Sequence, residues 1–212
     1  MIWRWATLAA LGVYHGANPG MGWLFAVALG LQEKSGRAVM RALPPIALGH
    51  AVSVGLTVAL LAVGQVSVSW EHLKWVTAAV LIGFGVLKLV RPRHPRWVGM
   101  RVGFRDLTLW SFLMATAHGA GLMLLPVFLL GENMAPCHGP SCHQTAGLTL
   151  TSWPGYLAAV ALHTGAMLFT AGGIALVVYY KFGVSLLRQT WFNLDRAWAV
   201  AMIVAGVVAV AV

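Results

Sequence analysis

The chain has 212 residues, 59% hydrophobic and only 9% charged, with a formal net charge of +9, whereas a soluble domain carries about 25% charged residues. That composition argues against a soluble globular domain and for an integral membrane protein. The basic residues sit in short loops between apolar runs, so they report topology and no nucleic-acid partner.

A hydrocarbon core of roughly 30 Å needs about 20 apolar residues per helix. Six segments are candidates: 2–31, 41–64, 70–90, 107–131, 153–180 and 197–212. The first would be about 45 Å long as a straight helix, too long for one crossing. It contains the polar run His15-Gly16-Ala17-Asn18-Pro19-Gly20-Met21-Gly22. Proline has no amide hydrogen and clashes with the preceding turn, so the first helix is expected to be broken near Pro19. Arg4 followed by an apolar run resembles a leader, but no small-residue cleavage site follows it, and the segment is read as a span. The last segment would reach only about 24 Å, so either its start is nearer Trp191 or it tilts little.

With six spans, twelve of the fourteen basic residues fall on one side, from Lys34, Arg37 and Arg41 through Lys88 and the 91–106 linker to Arg196, and only Arg4 and Lys74 on the other. The positive-inside rule then places that linker in the cytoplasm and both termini outside, as in a bacterial-type inner membrane. Trp3, Trp5, Trp70, Trp75, Trp97, Trp110, Trp153 and Trp191 lie near span ends, where indole rings favour the headgroup region.

The chain reads as one membrane domain, 1–212, in two halves, 1–90 and 107–212. Each half runs as a Gly-broken helix containing His-Gly-Ala, a helix with one central histidine, and an apolar helix with none. Three spans repeated in tandem must insert the second copy upside down, so the expected fold is all-α, six transmembrane helices as two inverted three-helix repeats.

His15, His50, His118 and His163 each lie roughly 13 to 20 Å into their spans by helical rise. Burying an unpartnered polar group costs about 2 to 7 kcal/mol, so each needs a partner: another histidine, Asn18, Ser53, Thr116, Thr164, water, a metal, or a carbonyl beside a glycine. Intramembrane ionisable groups mark functional sites. Neutral imidazole ligates transition metals without adding buried negative charge. Asn18 and the broken backbone at Pro19 would add oxygen ligands. No carboxylate lies well inside a span, which argues against carboxylate-based ion coupling. Met21, Met114, Met123 and Met167, close to the histidines in sequence, offer soft sulfur for copper(I) or plain packing. Cys137, His138, Cys142 and His143 share the 132–152 loop, where the cysteines would close a disulfide on the oxidising side or, reduced, join the histidines in capturing metal. His72 and His94 read as interfacial, without a role.

At its first motif the chain resembles the nickel/cobalt transporter superfamily, in particular its NicO and HupE/UreJ branches, as a divergent member. His15, Pro19, Gly20 and Gly22 match the first-helix signature of that group, Gly49, His50 and Ser53 match the second-helix Gly-His and serine, and His118-Gly119 resembles its later His-Gly element. Where those proteins carry a further histidine or Asp-His, this chain has Met21. The resemblance follows span order over the whole chain and implies transport of nickel or cobalt.

The expectation is therefore a transporter, not an enzyme, moving a nickel- or cobalt-like ion, or copper or zinc, by alternating access through a histidine cluster. It would hold no permanent cofactor, only the divalent or monovalent ion in transit. Its surroundings would be the lipid bilayer and a homo-oligomer or larger membrane complex. Two other classes stay open: a non-transporting accessory subunit of such a complex, and a LysE-type small-solute exporter, whose cargo predicts no histidine cluster.

Overall fold

A computed structural model describes residues 2–67, 69–90, 103–129, 152–183 and 194–211. Among the described residues all regular structure is helical. In chain order come α1 (Ile2–Ala17), a 3-10 turn (Pro19–Met21), α2 (Trp23–Gln32), α3 (Gly36–Ser67), α4 (Trp70–Val90), α5 (Phe104–Ala117), a second 3-10 turn (Leu122–Leu124), α6 (Leu125–Leu129), α7 (Trp153–Val177), which continues into a π turn (Val178–Phe182), and α8 (Leu194–Ala211). Helical segments over Gly36–Gly64 and Trp153–Phe182 are long and apolar enough to cross a membrane. A third would form if Phe104–Ala117 and Leu122–Phe128, bent by 49°, count as one span. The cysteine-histidine loop and most of the basic linker lie outside the described residues.

Two boundaries differ from the sequence expectation. Helix α3 begins at Gly36, not at 41, so Arg37 and Arg41 belong to a helix rather than a loop. It runs through Pro44 and Pro45, whose ring-locked φ is itself helical. Helix α5 begins at Phe104, ahead of the expected 107.

The first break has a local cause. Asn18 leaves the helical region at ψ 121°, its side chain caps the turn by accepting from the Gly20 amide at 2.9 Å, and Pro19 opens the 3-10 turn. Gly22 then takes φ 114°, a left-handed conformation, with a Cβ there only 3.2 Å from the Ile46 side chain. Trp23 Nε1 donates back to the Ala17 carbonyl at 3.2 Å, satisfying one acceptor at the end of α1. At the second break, Gly119 is left-handed at φ 67°.

Helix α1 lies along α7, α5 along α3 and α4 along α8, while α3 also meets α7. Lipid offers helices no hydrophobic drive to associate, so close backbone approach at small residues matters. A Cβ on Gly12 would strike the His163 carbonyl oxygen and stand 2.9 Å from the Ala166 Cβ; one on Gly16 would strike the Met167 carbonyl. On the other pair, a Cβ on Gly49 would stand 2.8 Å from the Phe112 nitrogen. Ser111 Oγ donates to the Ile46 carbonyl at 2.6 Å, and Ser53 and Thr116 hydroxyls share a 2.9 Å bond, tying α5 to α3. The outer faces carry exposed Leu56, Leu60, Leu157 and Phe169, a surface suited to lipid.

Gly49→Leu is expected to cost about 1–3 kcal/mol through overpacking, read as a lower melting temperature in detergent. Gly55→Ala, with nothing within 4 Å of its added Cβ, is expected to gain about 0.5–1 kcal/mol from helix propensity. Indistinguishable melting of the two variants would refute the tight α3–α5 contact.

Candidate functional site

The break after α1 leaves His15 in the last turn of that helix, fully buried. His50 comes from the middle of α3 and His163 from α7, both at 0% exposure. The three rings gather: centroids are 4.9 Å apart for His15 and His163, 5.4 Å for His50 and His163, and 5.6 Å for His15 and His50. His118 caps the C-terminus of α5, 3% exposed. It stands on the Asn18 side of the cluster. A Cβ built on Gly20 would meet Asn18 Oδ1 at 3.3 Å and His118 Cε1 at 3.6 Å. Asn18 itself is 4% exposed.

Backbone carbonyls select the tautomers. His15 Nδ1 lies 2.7 Å from the Leu11 carbonyl and His118 Nδ1 2.8 Å from the Met114 carbonyl, each one turn back on its own helix. His163 Nδ1 lies 3.1 Å from the Leu8 carbonyl across the α1–α7 contact, where Gly12 lets the two backbones approach. A carbonyl oxygen only accepts, so Nδ1 carries the proton in all three rings, and a neutral ring then offers its lone pair at Nε2. Metal-ligating histidines are commonly oriented this way, with the other ring nitrogen donating to a carbonyl or carboxylate. Backbone carbonyls beside glycines were one expected kind of partner. The expected side-chain partners behave differently: Ser53 and Thr116 bond to each other, because both face the α3–α5 seam, and Thr164 Oγ1 is buried with no hydrogen-bond partner among the described residues.

His50 differs from the other three. Both of its ring nitrogens are buried without a hydrogen-bond partner among the described residues, as are His163 Nε2 and Asn18 Nδ2. Three imidazoles ligating one ion at about 2 Å place their ring centroids about 5 Å apart, which is the spacing found. No group of three or more His, Cys, Asp or Glu side chains among the described residues is aligned on a metal position as it stands. The rings have the spacing of a shared ligand set but not its directions. His50 lies near parallel to His163, at 19°, and has no hydrogen-bond partner among the described residues.

Sequence reasoning overlooked the Leu8 and Leu11 carbonyls that orient two of the rings, and Tyr14, whose ring lies 6.3 Å from that of His15. Gly12, four residues after Leu8, was the available signal for the close helix approach. Ser111 had no comparable signal, since its partner lies 65 residues away.

His50→Leu should raise stability by about 1–3 kcal/mol, the desolvation cost of unsatisfied buried polar atoms, seen as a higher melting temperature in detergent. A fall of that size would mean that His50 is already satisfied and packed like an ordinary core residue. Comparison with family models, with curated proteins and with solved structures returned no match.

Proposed function

We propose that the protein is a membrane transporter of a transition-metal cation, with His15, His50, His118, His163 and Asn18 lining the path. The observation that carries this reading is the gathering of three imidazoles from α1, α3 and α7 at ring spacings of 4.9 to 5.6 Å in the buried interior. Fold stability alone gives no reason to place them there. Unsatisfied buried polar atoms cost free energy, whereas a bound ion would satisfy them. A neutral donor set also allows release, because no fixed negative charge holds the ion in place.

The packing supports the reading of six spans in two inverted repeats. Exchanging α1 with α5, α3 with α7 and α4 with α8 maps four helix pairs onto themselves: α1–α7 becomes α5–α3, while α4–α8 and α3–α7 are each kept, and the α2–α3 contact lacks a counterpart of similar size among the described residues. Smaller features follow the same exchange. His15 and His118 each bond the carbonyl four residues earlier and precede a break. Seven residues after His50 and after His163 stand Thr57 and Thr170, each bonding the carbonyl four residues back. Related halves meeting at a mid-membrane site with broken helices are the plan of many secondary transporters. The resemblance of the His15 and His50 motifs to those of the NicO and HupE/UreJ branches is in keeping with this reading.

The test is uptake of nickel, cobalt, copper and zinc into vesicles containing the purified chain, compared with His15→Ala and His163→Ala. Each substitution is expected to lower flux by about tenfold or more while the protein still inserts. Equal flux in wild type and variants would sink the proposal.

A further inference from the structure

The chain has nine methionines. Of the six whose side chains are described, Met40 lies outside at 51% exposure, while Met21, Met114, Met123, Met167 and Met202 are 4% exposed or less. Those five are not spread evenly through the interior. The core cluster around Leu8, Val54 and Phe128 contains no methionine and the one around Trp23 and Ile46 contains Met167, whereas Met21, Met123 and Met202 gather in a third, smaller cluster whose other buried member is Leu81. Tyr14, beside His15, packs against that cluster. Met202 Sδ lies 2.8 Å from the point where a Cβ on Gly119, next to His118, would stand. Met114 precedes His118 by four residues and Met167 follows His163 by four, a spacing that puts each pair on one helix face. Met114 Cε and His118 Cε1 also meet the same point above Gly20, at 3.3 and 3.6 Å.

We infer that the cargo is a soft monovalent cation, copper(I) or its analogue silver(I), handed between the histidine cluster and a thioether cluster made by Met21, Met114, Met123 and Met202. The inference rests on the transport reading and narrows it. Thioether sulfur is a soft ligand that selects copper(I) over harder divalent ions. Charge gives a second, independent reason. The cost of taking an ion from water into a low-dielectric interior grows as the square of its charge, and buried anionic partners are the usual offset. None is present among the described residues: Glu33, Glu71 and Asp106 are all exposed. A set of neutral imidazoles and thioethers can hold one positive charge far more readily than two. Methionine as a flexible core filler does not explain why three of the five buried methionines share one small cluster that reaches Gly119, next to His118.

The purified full chain in vesicles is assayed for uptake of silver(I), and of copper(I) kept reduced with ascorbate, beside nickel(II), cobalt(II) and zinc(II). Wild type is expected to move the monovalent ions at least about tenfold faster, and Met114→Leu with Met202→Leu to lose about tenfold or more of that flux. Met40→Leu should match wild type. Faster flux of the divalent ions, or undiminished silver(I) flux in the double variant, overturns this inference and leaves cation transport standing. Absence of flux for every ion removes both. Should the double variant misfold, X-ray absorption of the copper(I)-loaded chain in a Cys137→Ser, Cys142→Ser background decides the point. Sulfur in the first coordination shell is expected, and a shell of nitrogen and oxygen alone would overturn the inference.

Discussion

The contact on which the arrangement depends is the close approach of α1 to α7 at Gly12 and Gly16. Without side chains at those two positions the backbones come near enough for His163 Nδ1 to reach the Leu8 carbonyl, and the same approach brings the rings of His15 and His163 to 4.9 Å. The gap at Gly49 does the corresponding work for α3 and α5, helped by the bond from Ser111 to the Ile46 carbonyl. Helices in lipid associate through packing and polar contacts rather than water exclusion. Filling these gaps would therefore loosen both the packing and the histidine geometry.

The interior that results is polar where stability alone would make it apolar. Backbone carbonyls hold three imidazoles at Nδ1, His50 has no hydrogen-bond partner among the described residues, and the Asn18 carboxamide spends its oxygen on the Gly20 amide. Each unsatisfied buried group costs about 1–3 kcal/mol, against a net stability of about 5–15 kcal/mol for a typical protein. On the proposed reading, a chain that retains such groups gives up stability for a donor set, and neutral nitrogen beside neutral sulfur would suit a cation that must both bind and leave.

Much of the helical layout was legible because it follows from local chemistry. A 30-residue apolar run exceeds a bilayer, and Asn-Pro-Gly inside it cannot continue an α-helix, so the break at 18–22 could be read directly. The start of α3 was misplaced because Arg37 and Arg41 were counted in a basic loop, although charged residues are readily carried by the first turns of a helix. The expected hydroxyl partners of the histidines were misassigned for another reason. Ser53 follows His50 by three residues, but its hydroxyl faces α5, and residue spacing on one helix does not say which neighbour that face will meet.

By itself, the sequence determined that the chain is apolar, that its helices break at His-Gly-Ala elements, and that four histidines lie inside apolar segments, because composition, proline and glycine act within a few residues. Only the tertiary structure decided that His15, His50 and His163 share one cluster while His118 stands beside Asn18 and the methionines. It also decided that Met202, in a helix without histidine, joins them. Those are contacts between residues far apart in the chain, settled by which small-residue faces can approach each other, and no local pattern encodes that choice.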